Sequence, residues 1–169
     1  PNENCALIIV NLGTPDGPDE ESIRRFLKQF LSDPRVVDFP RWLWLPILNG
    51  IILKTRPKRL VEDYSSIWGE SAGPIVEITF SLAKKLQTVL PSEIKVITAM
   101  TYGNPSIKDA MKEAKGFDHI MVLPMFPQYA GATTGAIEDQ INASKHELSV
   151  NKPIRVIRDY PVSYTHLRA

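Results

Sequence analysis

The chain is nearly without cysteine: Cys5 is the only one. A lone thiol makes no internal disulfide framework and no cysteine zinc site, which leaves the reducing cytosol as the default compartment. An excess of one charge is also lacking. Twenty Lys and Arg stand against nineteen Asp and Glu, for a formal net charge of +1, whereas a general nucleic-acid binder carries a basic excess on one face. Histidine is scarce. His119 precedes an apolar run, His146 sits between Lys145 and Glu147, and His166 lies near the C-terminus. No pair has ligand spacing, so none is expected to hold a metal. No charged-then-apolar leader opens the chain, which starts on a strand-like run. The longest greasy stretch, Phe39 to Leu53, has Arg41 as its only charge. Its fifteen residues reach about 22 Å as a helix, short of the roughly 30 Å hydrocarbon core. Pro40 and Pro46 interrupt it as well, so it is not expected to span a membrane.

What is present is ordinary globular material. Of 169 residues, 43% are hydrophobic and 23% charged, enough for one domain with a real core or for part of a larger one. "ALIIVNLG" (6–13) is a β-branched apolar run without polar alternation, the pattern of a strand buried on both faces. "EIKVITAMTYG" (93–103), "FDHIMVLPMFP" (117–127) and "PIRVIRDYP" (153–161) repeat it. Between them lie amphipathic stretches. Residues 19–33 have an acidic first turn, with Ile23, Phe26, Leu27, Phe30 and Leu31 at helical spacing, and stop at Asp33-Pro34. A second helical pattern begins at Pro57 with Leu60, Val61, Tyr64 and Ile67 on one side. Residues 73–91 form a longer helix closed by Pro91. Residues 106–116 form a helix stopped by Gly116, and 133–148 one that Thr133 can N-cap. The alternation predicts an α/β fold with a doubly wound, mostly parallel sheet. In such sheets ligands lie outside the carboxyl ends of the strands. Here those ends are "NLGTP", "MTYGNP", "PMFPQYAGATTG" and "RDYP", rich in Gly, Pro and small polar residues.

Five blocks in order carry a family resemblance: "VNLGTPDGP", "FLSDPRVVDFPRWLW", "TRPKRLVEDYSSIW", "AMTYGNPSI" and "LPMFPQYAGATTGA". Together they resemble the ferrochelatases, lyases that insert ferrous iron into a porphyrin in haem biosynthesis. The resemblance runs from about residue 5 to about residue 161 and implies the first of two similar α/β domains. It also implies that the family's Ser-x-His-Gly-(Leu/Ile)-Pro segment and assisting glutamate belong to a missing C-terminal domain, so no catalytic residue is expected in this chain. Ferrous iron and porphyrin are then substrates, and no cofactor is expected: Gly131 stands where members with an iron–sulfur cluster carry a cysteine.

The chemistry sets its own demands. A flat apolar macrocycle needs an apolar and aromatic cleft with few polar anchors. Its carboxylate edge calls for Arg or Lys, and its pyrrole protons need a base that titrates near neutrality. The resemblance places residues 38–56 as a mobile, hairpin-like lip of the cleft, with Trp42 and Trp44 as apolar surface and Arg56 and Lys58 near carboxylates or lipid phosphates. Peripheral membrane contact is implied for the same segment. The competing reading is an amphipathic helix packed on its own domain. Leu12 falls where the family faces the porphyrin, and is equally the last core residue of strand one. Tyr64 matches a pocket tyrosine or is a half-buried helix residue. Gln128, Tyr129 and Thr133 lie on the loop after strand three, where Thr133 has capping as a complete alternative role.

Three departures stand out. Thr101 replaces the family's usual Arg, and a hydroxyl cannot hold a carboxylate bidentately. Ala72, Gly73 and Pro74 stand in place of Gly-Ser-Pro. Residues 162–169, "VSYTHLRA", show no helical apolar period and are expected to be a non-native tail, leaving 1–161 as the domain. Two other functions remain open: a related cobalt or nickel tetrapyrrole chelatase, and a non-catalytic tetrapyrrole-binding module.

Overall fold

The first apolar run becomes β1 (Cys5–Asn11), an inner strand with neighbours on both sides. A computed structural model describes residues 4–69 and 72–160. In it β1 pairs in parallel with β2 (Ile94–Met100) and β3 (His119–Pro124), so that Ile8 lies between Ile97 and Val122. β4 (Ile154–Val156) adds to the far side of β3, giving the order β2-β1-β3-β4, all parallel. Strands in such a sheet are covered on both faces, which is why the sequence runs are continuously apolar. On one face Ala6, Ile8, Val10, Ile97, Ala99, Ile120 and Val122 pack against α5 (Ile107–Ala114) and α6 (Ala136–Glu147). Side chains one residue out of step point the other way. There Asn11 donates from Nδ2 to Thr79 Oγ1 (3.0 Å) on α4 (Pro74–Val89). The doubly wound α/β expectation holds.

A second apolar core sits beside the first. α1 (Glu20–Ser32) is capped by Asp19, whose Oδ1 accepts from Glu21 N and Ser22 N; those bonds, the Ser22 amide foremost, hold the carboxyl below its usual range. The buried side chains Ile23, Phe26 and Leu27 of α1 meet Leu48, Leu53 and Tyr102.

The lip departs from expectation. Residues 41–67 are helical throughout rather than hairpin-like: α2 (Arg41–Ile47) runs through a widened π-helical turn (Leu48–Ile52) into α3 (Leu53–Ile67). Pro46 and Pro57 lie inside helices, not at their borders. A proline cannot donate to the carbonyl four residues back. For Pro57 that carbonyl is Leu53 O, and Arg24 Nε supplies the missing donor at 2.9 Å. A cation from α1 thus repairs the helix and ties it to its neighbour.

Other boundaries shift too. Thr133 does not cap α6. It lies in a π-helical turn, Gly131–Gly135, and its Oγ1 donates to Ala130 O (3.3 Å), while α6 begins at Ala136 with no side-chain cap. Gly116 is not in the left-handed conformation of a C-cap, and β4 keeps only three residues. His166 and the 162–169 tail lie outside the described residues, as do Glu70 and Ser71.

Candidate functional site

At the carboxyl end of the sheet the ladder continues past the strands. Thr101 N donates to Asn11 O (2.8 Å) and Tyr102 N to Leu12 O (3.0 Å), so the loops after β1 and β2 leave side by side. Two glycines make this possible. Gly13 has φ +100°, and a Cβ there would sit 1.7 Å from Tyr102 O; Gly103 has φ +85°, and its Cβ would sit 2.5 Å from Thr14 O. Left-handed backbone and close backbone-to-backbone approach both demand glycine. The "NLGTP" and "TYGNP" loops are interlocked.

A chain of polar contacts then joins this end to the helices. Tyr102 is 1% exposed and donates from its hydroxyl to Asp33 Oδ2 at 2.7 Å. Burial, then the Asp33 carboxylate, push its phenol well above the ordinary value. The other Asp33 oxygen accepts from Arg35 N (2.8 Å). Arg35 reaches Asp139 of α6 with two bonds, Nε to Oδ2 at 2.7 Å and Nη2 to Oδ1 at 3.1 Å. Gly103 N donates to Gln29 Oε1 (2.9 Å), and Asn104 Nδ2 to Asp16 Oδ1 (2.8 Å). Two strand-end loops, the turn after α1 and the helices α1 and α6 are held by hydrogen bonds of ordinary length.

The predicted site residues fall into three groups. Leu12, Trp44 and Tyr64 are half-buried and pack together against the Ile23–Leu53–Tyr102 core. Trp44 also donates from Nε1 to Leu31 O (2.7 Å), and Tyr64 meets Trp68 edge-on at 6.5 Å. Burial raises the Tyr64 phenol, and the charge of Arg56 opposes the rise. Trp42 is 76% exposed, beside exposed Phe39, Leu43, Ile47 and Ile51; Arg56 and Lys58 are exposed on α3. Gln128, Tyr129 and Thr133 share the β3–α6 loop, with Gln128 and Tyr129 exposed. The competing readings of the lip therefore divide by residue: Trp44 is packed on its own domain and Trp42 is not.

Two cavities open nearby. One of about 260 Å³ lies among Thr14, Pro15, Gln29, Gly103 and Asn104. A larger one, about 700 Å³, runs between α1 and α6 past Lys28, Tyr102 and Gln140. Neither is lined by Leu12, Trp44, Tyr64 or Tyr129.

Thr101 is buried and satisfied: its Oγ1 donates to Asn11 O (3.1 Å) and its carbonyl accepts from Gln140 Nε2 (2.9 Å). Thr134, in the π-helical turn before α6, is fully buried with a hydroxyl that has no hydrogen-bond partner among the described residues. Of the histidines, His119 starts β3 and His146 lies in the last turn of α6, which returns against the strands. Both sit at the amino end of the sheet, away from this face. Among the described residues no group of three or more His, Cys, Asp or Glu converges as a metal site. No described helix is long and apolar enough to cross a membrane.

Sequence reasoning missed Tyr102, Asp33, Arg35 and Asp139 as members of this network. Asp33 is legible in the sequence only as a helix stop before Pro34.

Comparison with known proteins gives a consistent result. A model of the ferrochelatase family matches residues 4–169. The chain is 47% identical to ferrochelatase 1 of Shewanella oneidensis over 147 residues, which is 83% of this chain and 44% of that protein. It is 41% identical to the Vibrio atlanticus ferrochelatase over 98% of this chain and 51% of the relative. For a Haemophilus influenzae ferrochelatase the figures are 42%, 96% and 52%. The chain spans about half the length of the curated relatives it matches. With 166 matched positions from residue 4 to residue 169, the chain belongs to the ferrochelatase family.

Proposed function

We propose that this chain is the N-terminal part of an enzyme that inserts ferrous iron into a porphyrin during haem synthesis, and that it supplies one wall of the porphyrin slot without the catalytic base. The observation that carries the reading is apolar surface on one core near the carboxyl ends of the strands: Leu12, Trp44 and Tyr64 are half-buried against it, and Trp42 is exposed two residues before Trp44 on α2. A planar macrocycle gains from such a surface through burial of its faces. Exposed Arg56 and Lys58 on α3 suit its carboxylates, Arg by two parallel bonds and Lys as a point charge. The pyrrole protons must pass to a base, and the two described histidines lie at the opposite end of the sheet. That placement supports a base supplied from outside this chain. Gly131, where a cluster-binding member has cysteine, leaves the β3–α6 loop without a thiolate.

Titrating the 169-residue chain with a dicarboxylate porphyrin tests this reading. Tryptophan fluorescence is expected to be quenched saturably, and added ferrous iron to give no metalloporphyrin above the protein-free rate. Absence of quenching contradicts the wall; insertion above background contradicts the missing base.

A second contact has its own observation. Exposed Phe39, Trp42, Ile47 and Ile51 lie close in sequence to exposed Lys54, Arg56, Lys58 and Arg59, the composition of a helix that rests on an anionic membrane surface. Co-sedimentation with phosphatidylglycerol vesicles, lost at high salt and lost in Trp42→Ser, is the expected result. Equal sedimentation with neutral vesicles contradicts it.

A further inference from the structure

The β3–α6 loop carries Gln128, Tyr129 and Thr133, yet little apolar packing holds it. Residues 127–130 are all exposed, and Tyr129 is 48% exposed. Two arginines from distant parts of the chain converge on that tyrosine. Arg35, from the turn after α1, sits with its Nη1 2.9 Å from where a Cβ of Gly135 would be, and the Tyr129 hydroxyl lies 3.3 Å from the same point. Both groups therefore occupy the side-chain space that Gly135 leaves empty. Arg158, just after β4, places its guanidinium carbon 5.8 Å from the centre of the Tyr129 ring, within cation–π range. Each arginine is fixed in turn by a fork of two bonds to an acid in the first turn of α6. Arg35 holds Asp139 at 2.7 and 3.1 Å. Arg158 holds the preceding residue, Glu138, at 2.6 and 3.2 Å. Bidentate pairs fix direction as well as distance, which a lysine would not do. Consecutive acids on one helix thus aim two guanidinium groups at one phenol, one at its hydroxyl and one at its ring.

We propose that Arg35, assisted by Arg158, is a positioning residue that clamps Tyr129 and so presents its ring at the strand-end face to a planar tetrapyrrole. The proposal rests on the reading of that face as a porphyrin wall. The clamp explains the loop's composition: Gly135 is small because the guanidinium and the phenol fill the space beside it. It also explains why exposed ion pairs, which add little to global stability, are built with fork geometry. Their role is to hold a loop in place, not to hold the fold together.

Gly135→Ala is the informative variant. Its backbone is ordinary helix, so the added methyl meets the far ends of Arg35 (2.9 Å) and Tyr129 (3.3 Å) and crowds the clamp without removing a charge. The chain is prepared with 3-fluorotyrosine, and the Tyr129 fluorine resonance is assigned by its loss in Tyr129→Phe. It is expected to move toward the position of unfolded tyrosine in both Arg35→Ala and Gly135→Ala, while the Tyr102 signal, which reports the fold, stays in place. Porphyrin titration supplies the functional arm. Arg35→Ala is expected to weaken binding about tenfold and to have no further effect once Tyr129 is replaced by Ala. The double exchange of Arg35→Asp with Asp139→Arg is expected to restore both readouts in part. A Tyr129 resonance indifferent to Arg35→Ala and Gly135→Ala overturns the clamp, and equal losses of affinity with and without Tyr129 overturn its route through that ring. If the unaltered chain binds no porphyrin, the wall reading and the tetrapyrrole role fall together, and the fluorine signals alone decide whether Tyr129 is clamped.

Discussion

The loops after β1 and β2 and the helical lip contribute to one end of the sheet but are built on opposite principles. In the loops backbone amides and side chains bond across from one loop to the other, glycines let a carbonyl of one loop press against the backbone of the other, and Tyr102 is buried against Asp33. In the lip a row of apolar side chains remains in water: Trp42, Ile47 and Ile51 are exposed, and only Trp44, Leu45, Leu48, Ile52 and Leu53 turn inward. A satisfied region gains nothing from a partner, whereas an exposed apolar face of this kind does. Rigidity has been placed where strands must be held in register, and uncovered apolar surface where a flat molecule or a bilayer is proposed to lie.

Substitutions test that contrast, and the largest effect is expected at Gly13. An alanine Cβ there would lie 1.7 Å from Tyr102 O at a φ of +100°, so the interlocked loops must separate. Gly13→Ala is expected to cost about 4 kcal/mol or more, read as a shift of the urea midpoint. A midpoint within experimental error of the parent would mean the loops are not rigid.

Tyr102→Phe comes next. It removes one buried hydrogen bond and leaves Asp33 with an unmatched oxygen, for a loss of about 1–3 kcal/mol. It also carries a pH signature. Burial and Asp33 raise the folded phenol above its unfolded value. The protonated form is therefore favoured in the fold, and its contribution is complete below the unfolded phenol pKa of about 10 and declines as pH rises beyond it. Urea midpoints measured up the alkaline range are expected to fall less steeply in Tyr102→Phe than in the parent. Parallel curves would contradict the assignment.

The two lip tryptophans give the smallest pair of effects and the sharpest contrast within one helix. Trp44→Phe keeps an aromatic ring but loses the bond to Leu31 O, worth about 1 kcal/mol. Trp42→Ser, at a side chain three-quarters exposed, is expected to leave stability within about 0.5 kcal/mol while reducing porphyrin quenching. Thermal melts and titrations on the same samples read both. If Trp42→Ser destabilises more than Trp44→Phe, the division between packed and open faces is wrong.

Much of this architecture is legible in the sequence because it is local. Apolar runs ending at Gly13, Gly103 and Pro124 become the three long strands β1, β2 and β3, and the 3.6-residue spacing of Ile23, Phe26, Leu27 and Phe30 becomes α1. Leu12, Trp44 and Tyr64 stand together as sequence candidates, and the structure packs them on one core. The failures share a cause. Pro46 reads as an interruption and Pro57 as a helix start, but the backbone stays helical through both, and Arg24, which serves the carbonyl freed by Pro57, lies 29 residues from that carbonyl. The Tyr102–Asp33 bond joins residues 69 apart, and the Arg35–Asp139 fork joins residues 104 apart. No periodicity records such pairings. Thr133 looks like a cap because its position before the helix is right; the extra turn at Gly131–Gly135 moves the helix start beyond its reach.

The porphyrin-wall account is tested most directly by mapping where a porphyrin touches the chain, with amide and indole NMR signals followed through a titration. Perturbations concentrated at Leu12, Gly13, Tyr64, Tyr129 and the Trp42 indole are the predicted outcome. Perturbations confined to the α1–α6 cavity around Lys28 and Gln140, or to the exposed Ile78–Val89 face of α4, would contradict it.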